Sequence, residues 1–80
     1  MNDIQQEIFE KVKKEWQHRS GNENINEDFL RSLIIFADTN QDGKKRVISM
    51  RTGKTHLVPI ERIILDGLKE EELEQFPVEI

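Results

Sequence analysis

The chain contains no cysteine, so neither a disulfide nor a thiolate metal site can staple its fold. That absence also fits a reducing compartment. No apolar run approaches the roughly 18–20 residues needed to cross a bilayer, so no membrane partner is expected. The first residues, Met1-Asn2-Asp3-Ile4-Gln5-Gln6, lack the basic start and apolar stretch of a secretory signal, and the expected location is cytoplasmic. Tyrosine is absent and aromatic residues make up only 6% of the chain. Hydrophobic and charged residues each contribute 35%, a lean supply for a core.

What is present is 80 residues, enough for one small domain spanning 1–80. A chain of this size buries only about 60% of the surface its unfolded form exposes. With no covalent staple, self-association or a bound partner is the remaining common route to stability, so a homo-oligomer is one expectation. The apolar residues recur at regular spacing, which argues against a disordered chain.

Ile4, Ile8, Val12 and Trp16 repeat every four residues, with Phe9 widening the stripe, and predict a helix over 3–19. Asp3 is the expected N-cap, with Gln6 completing a capping box, and Gly21 the expected stop. Trp16 is a candidate anchor for the core or for a partner. After a loop over 21–25, Asn26 caps a second helix. In that helix Phe29, Leu30, Leu33, Ile34, Phe36 and Ala37 fall within an arc of about 160°. The rival assignment makes residues 32–38 a strand, since the run is short and half β-branched.

Residues 45–51 and 54–58 predict a β-hairpin around Thr52-Gly53. A two-residue turn pairs Ser49 with His56 and Ile48 with Leu57. One face then carries Ile48, Met50, Thr55 and Leu57, and the other carries Ser49, Arg51, Lys54 and His56. The first face is expected to pack on the helices, because a lone hairpin is marginal in water. Pro59 ends the strand and opens a short helix over 60–65, and residues 69–76 predict a last, acidic helix. Val78-Glu79-Ile80 is expected to fray. The fold class is therefore α+β: two amphipathic helices on a hairpin with a short C-terminal helical segment. If 32–38 were a strand, the sheet would become a three-stranded meander. The expected core is Ile4, Ile8, Phe9, Val12, Trp16, Phe29, Leu30, Leu33, Ile34, Phe36, Ile48, Met50, Leu57, Ile60, Ile63, Ile64 and Leu73.

Charge is distributed unevenly. Residues 44–56 hold Lys44, Lys45, Arg46, Arg51 and Lys54, with His56 and no acid. The chain carries −4 overall, so removing those five positive charges leaves −9 for the rest. A cationic window on an anionic protein points to a binding face or to an internal charge partner, such as Glu70, Glu71, Glu72 and Glu74. Arg46, Arg51, Lys54 and His56 are the candidate contacts. A ribbon of this kind can enter a nucleic-acid groove. Against that role stand the sequence pI of about 5.1 and the lack of an aromatic for base stacking on the same face.

Asp38-Thr39-Asn40-Gln41-Asp42-Gly43 resembles the first half of an EF-hand loop, over six residues. Asp38, Asn40 and Asp42 stand at loop positions one, three and five, and the glycine at six permits the sharp turn. The second half of the loop over 38–49 departs from the family. Lys45 replaces the usual aliphatic residue, Ser49 stands where a bidentate glutamate is needed, and Lys44, Lys45 and Arg46 repel a cation. The competing assignment is a polar turn. Thr52-Gly53-Lys54-Thr55 is similar to the tail of a phosphate-binding P-loop, but Ile48 occupies the position of its first glycine and no helix follows.

No catalytic set is apparent. His18 and His56 lie in different elements, and no third residue stands out to orient a Ser49–His56 pair. The leading expectation is a small non-catalytic regulatory or adaptor protein that binds another protein, with no cofactor. A nucleic-acid binder is the alternative, and a degenerate calcium loop the third.

Overall fold

A computed structural model describes residues 1–21 and 24–80; residues 22 and 23 of the loop expected at 21–25 lie outside the described residues. The class is α+β. Helix α1 spans Asp3–Ser20, α2 Glu27–Ala37 and α3 Ile60–Asp66. Strands β1 (Lys44–Ile48) and β2 (Thr55–Pro59) form an antiparallel pair, and a 3-10 helix covers Glu70–Gln75.

The helix ends follow local chemistry. Asn2, not Asp3, caps α1: its side-chain oxygen accepts from the Gln5 N–H at 2.8 Å, and the Gln5 side chain accepts from the Asn2 N–H at 3.1 Å. The capping box is thus one residue earlier than expected, and it leaves Asp3 in the first turn, where its charge suits the helix dipole. Gly21 ends the helix in the left-handed region at φ 68°. Asn26 caps α2, accepting from the Phe29 N–H at 3.0 Å. Residues 32–37 are helical, which removes the strand assignment and the meander that depended on it.

Helix α1 packs on α2 and α3. Their shared core is Ile8, Phe9, Val12, Leu30, Ile34 and Ile60, with Trp16, Ala37, Ile64 and Leu65 against it. Val58 and Leu73 are also buried. Several expected core residues lie outside. Ile4 is 45% exposed, Phe29 57%, Phe36 81%, Ile48 62% and Met50 89%. The apolar arc of α2 is broader than the surface α1 covers, so Leu30 and Ile34 are buried while Phe29 and Phe36 face out.

The hairpin differs from expectation in two ways. Its register is Ile48 with Thr55, Val47 with His56 and Arg46 with Leu57, two residues from the expected pairing. The reason is the connection over 49–54. The Ser49 N–H donates to the Lys54 carbonyl at 2.8 Å, and the Gly53 N–H donates back to the Ser49 carbonyl at 2.9 Å. A shift of two changes the cross-strand partners but keeps every side chain on the same face. The faces are nevertheless inverted relative to the core: Ser49, His56 and Val58 are inside, whereas Ile48 and Met50 are outside.

The tail does not fray. The Leu57 N–H donates to the Pro77 carbonyl and the Glu79 N–H to the Thr55 carbonyl, both at 2.8 Å, and Val78 bridges His56 on the second edge of β2.

Candidate functional site

Residues 49–54, β2 and the C-terminal segment enclose a cleft of about 310 Å³. Arg51, Lys54 and His56 line it, facing Glu70, Leu73 and Phe76. The Ser49 hydroxyl donates to Glu70 Oε1 at 2.7 Å, and the Arg51 N–H reaches the same oxygen at 3.3 Å. The Ser49 oxygen in turn accepts from the Arg51 and Thr52 N–H groups, each at 3.3 Å. Glu70 therefore fills the concavity of the loop. The Ser49 hydroxyl bond, then those from the loop backbone, hold its carboxyl below the ordinary glutamate range against the opposing effect of desolvation.

His56 is buried at 6% exposure, with Nδ1 2.9 Å from the Phe76 carbonyl. A carbonyl can only accept, so Nδ1 carries the proton. This histidine faces inward and not toward solvent, because inversion of the hairpin turns its face toward the C-terminal segment. The Ser49 proton is directed at Glu70, and a carboxylate held in its charged form is a poor base for activating a hydroxyl.

Arg46 lies apart from this cleft. Its guanidinium contacts Asp42 at 2.9 Å and Glu79 at 2.7 Å. Those bonds, to Asp42 first and Glu79 second, raise its pKa further, and the bond from Arg46 lowers that of Asp42. The cationic window is thus partly an internal charge feature, as one reading of the sequence had it, although Asp42 and Glu79 are the partners of Arg46. Arg51 and Lys54 remain exposed and form no ion pair among the described residues. Trp16 lies on α1, half-buried against the core, and lines a shallow hollow with Arg19, Ser20 and Ile25. Arg51, Lys54 and His56 are thus brought together, while Arg46 and Trp16 are not.

In the loop that resembles an EF-hand, Asp38 is 1% exposed. Its Oδ1 accepts from the Gly43 N–H at 2.9 Å and the Asp42 N–H at 3.2 Å, and its Oδ2 accepts from Gln5 Nε2 at 3.0 Å. Asp42 accepts from the Lys44 N–H at 3.0 Å and holds Arg46. Asn40 is exposed. Among the described residues no three His, Cys, Asp or Glu side chains converge as a metal site. The segment is folded as an Asp38-centred turn, with Gln41 at φ 58° and Gly43 at φ 75°.

A further surface escaped the sequence reading. Phe29, Leu33 and Phe36 recur at i, i+4 and i+7 along the outer side of α2, with Ser32 between them. Phe29 and Phe36 are well exposed and Leu33 partly so. Periodicity located this face but could not say which half of a broad apolar arc a neighbour would cover.

No family model, curated protein or solved structure matches the chain. Among the described residues no helix is long and apolar enough to cross a membrane.

Proposed function

We propose that this chain is a small non-catalytic regulatory or adaptor protein that acts by binding protein, through the outer face of α2. The observation that carries this role is the exposure of Phe36 at 81% beside Phe29 at 57% on one helix face. Large aromatics left in water on one contiguous face favour a contact that removes them from it. Encounter would be steered by the charged groups around the cleft, where the cations of the hairpin loop face Glu70 of the C-terminal segment. Docking then buries the apolar face of α2. A photoreactive phenylalanine analogue at position 36 is expected to give discrete polypeptide adducts in an extract of the source cells, whereas the same group at position 52 gives none. Equal labelling from both positions would count against this role.

Nucleic-acid binding through the hairpin loop is the second reading. It is favoured by the exposure of Arg51 and Lys54 without ion-pair partners among the described residues. Pairing of Arg46 and burial of His56 reduce the four candidate contacts to those two cations. Fluorescence-anisotropy titrations with short mixed-sequence DNA and RNA decide it. Binding that falls steeply with salt, and is lost in the Arg51→Ala/Lys54→Ala variant, is the expected signature. No binding at low salt removes the idea.

A further inference from the structure

We infer that the occupant of the outer face of α2 is a second copy of this chain, docked antiparallel about a two-fold axis between Ser32 and Leu33, an assignment that builds on the protein-binding role proposed above. The seam formed by Phe29, Ser32, Leu33 and Phe36 carries no charge. A surface without charge selects a partner surface without charge, and this seam is itself such a surface. It is also self-complementary in order. An axis between positions 32 and 33 sets Phe29 of one copy opposite Phe36 of the other, and the symmetry repeats the pair. The small Ser32 beside the axis lets the two helix backbones approach closely.

Charge at the end of the helix selects the direction. Glu27 and Asp28 lie in the first turn of α2; Arg31 pairs with both at 3.4 Å and Lys13 with Glu27 at 3.5 Å, yet Asp28 stays almost fully exposed. Parallel docking would bring the two acidic turns side by side. Antiparallel docking separates the Asp28 residues by about 13 Å along the axis, at 1.5 Å per residue. That exceeds the screening length of about 8 Å at physiological ionic strength.

Phe29, Leu33 and Phe36 alone fall short of a standard interface, so flanking surface must be buried with them. A buried phenylalanine removes about 150–250 Å² from water, and a standard interface needs about 800 Å² per partner. Phe29, Phe36 and Leu33 supply the centre. Ile35 and Met1, 53% and 44% exposed, line one hollow beside it and extend the apolar surface.

Sedimentation equilibrium tests this directly. The wild-type chain is expected at twice its 9.5 kDa mass at micromolar concentration. Phe36→Glu is expected to weaken the dimer by at least about 100-fold, because a charge would be buried in the seam against Phe29 of the other copy. Its far-UV circular dichroism should match wild type, since the side chain makes little contact within one copy. The chain has no cysteine, so Ser32→Cys provides a single thiol next to the axis. Mild oxidation is expected to convert that variant to a disulfide dimer, while Thr52→Cys on the hairpin loop stays monomeric; this decides the matter even if Phe36→Glu misfolds. A wild-type monomer at about 100 µM, or a dimer that Phe36→Glu leaves intact, overturns the inference. If the wild type is monomeric while position 36 still crosslinks to a different polypeptide, the second copy is excluded and protein binding stands. If neither occurs, both fail.

Discussion

At the scale of single residues, acidic side chains hold the irregular parts of the chain together. Asp38 is nearly inaccessible, yet its two oxygens accept bonds from Gln5 and from the Asp42 and Gly43 backbone. Asp38→Ala would leave those donors without partners inside the protein. A cost of about 2–4 kcal/mol is expected, from the desolvation of buried donors left unpaired. Urea denaturation should show it, and a change below about 0.5 kcal/mol would deny the turn this organising residue. Glu70 has the matching role at the hairpin loop and makes a prediction about acid. Glu70, Asp42 and Asp66 are all held below their ordinary values, chiefly by bonds from Ser49, Arg46 and Arg19. A carboxyl depressed in the folded state stabilises fully above its unfolded pKa, near pH 4, and loses that contribution as pH falls through the lower folded value. The melting temperature should therefore hold on their account down to about pH 5 and fall below about pH 4. Glu70→Gln should melt lower at neutral pH and show a shallower acid decline. Identical acid limbs would remove Glu70 from the loop's support. The sequence named Glu70 as an acid facing the cations; that its chief partners would be a serine hydroxyl and backbone N–H groups was not legible, because such bonds join residues 19 and 21 positions apart.

At the scale of elements, local signals were readable and non-local ones were not. Caps, glycine stops and the apolar spacing of Ile8, Val12, Leu30 and Ile34 located α1 and α2 within a residue or so, since each depends on neighbours within one turn. The hairpin's residues were also legible, as was their sorting into two faces. Which face points inward was not, because that is decided by the C-terminal segment. Glu70 holds Ser49, the Phe76 carbonyl holds His56, and the Pro77 and Glu79 backbone closes the second edge of β2. Together these draw the Ser49, His56 and Val58 face inward and leave Ile48 and Met50 outside. The tail is thus part of the sheet's hydrogen bonding, and deleting residues 77–80 should be felt in β2 first. The Leu57 N–H, which donates to Pro77 at 2.8 Å, is expected to lose about tenfold in hydrogen-exchange protection, roughly the worth of one backbone bond. Amides of α1 facing the core should change much less. Unchanged protection at Leu57 would mean that the tail contributes nothing in solution.

At the scale of the whole molecule, shape and composition meet. The Cα envelope measures 41 × 25 × 15 Å, thin in one direction, and only eight apolar side chains are buried among the described residues. A layer this thin has little interior, so an apolar stripe wider than one neighbour must end in water or against another molecule. The stripe on α2 is of that kind, and this links the lean composition to the proposed second copy. The link has a thermodynamic consequence independent of how a dimer is detected. If the native state is a dimer and the unfolded state is not, mass action stabilises folding by about 1.4 kcal/mol for each tenfold rise in chain concentration. A folded unit of about 160 residues shifts its midpoint by roughly 2–4 °C per kcal/mol. The melting temperature should therefore climb by about 3–6 °C per decade of concentration. For Phe36→Glu the slope should vanish while the transition stays cooperative, because the core of Phe9, Val12, Leu30, Ile34 and Ile60 lies within one copy. Calorimetric scans over two decades of concentration make the comparison. A flat wild-type line would mean that the exposed phenylalanines are not covered by self-association during melting, and that the fold is held by one copy alone.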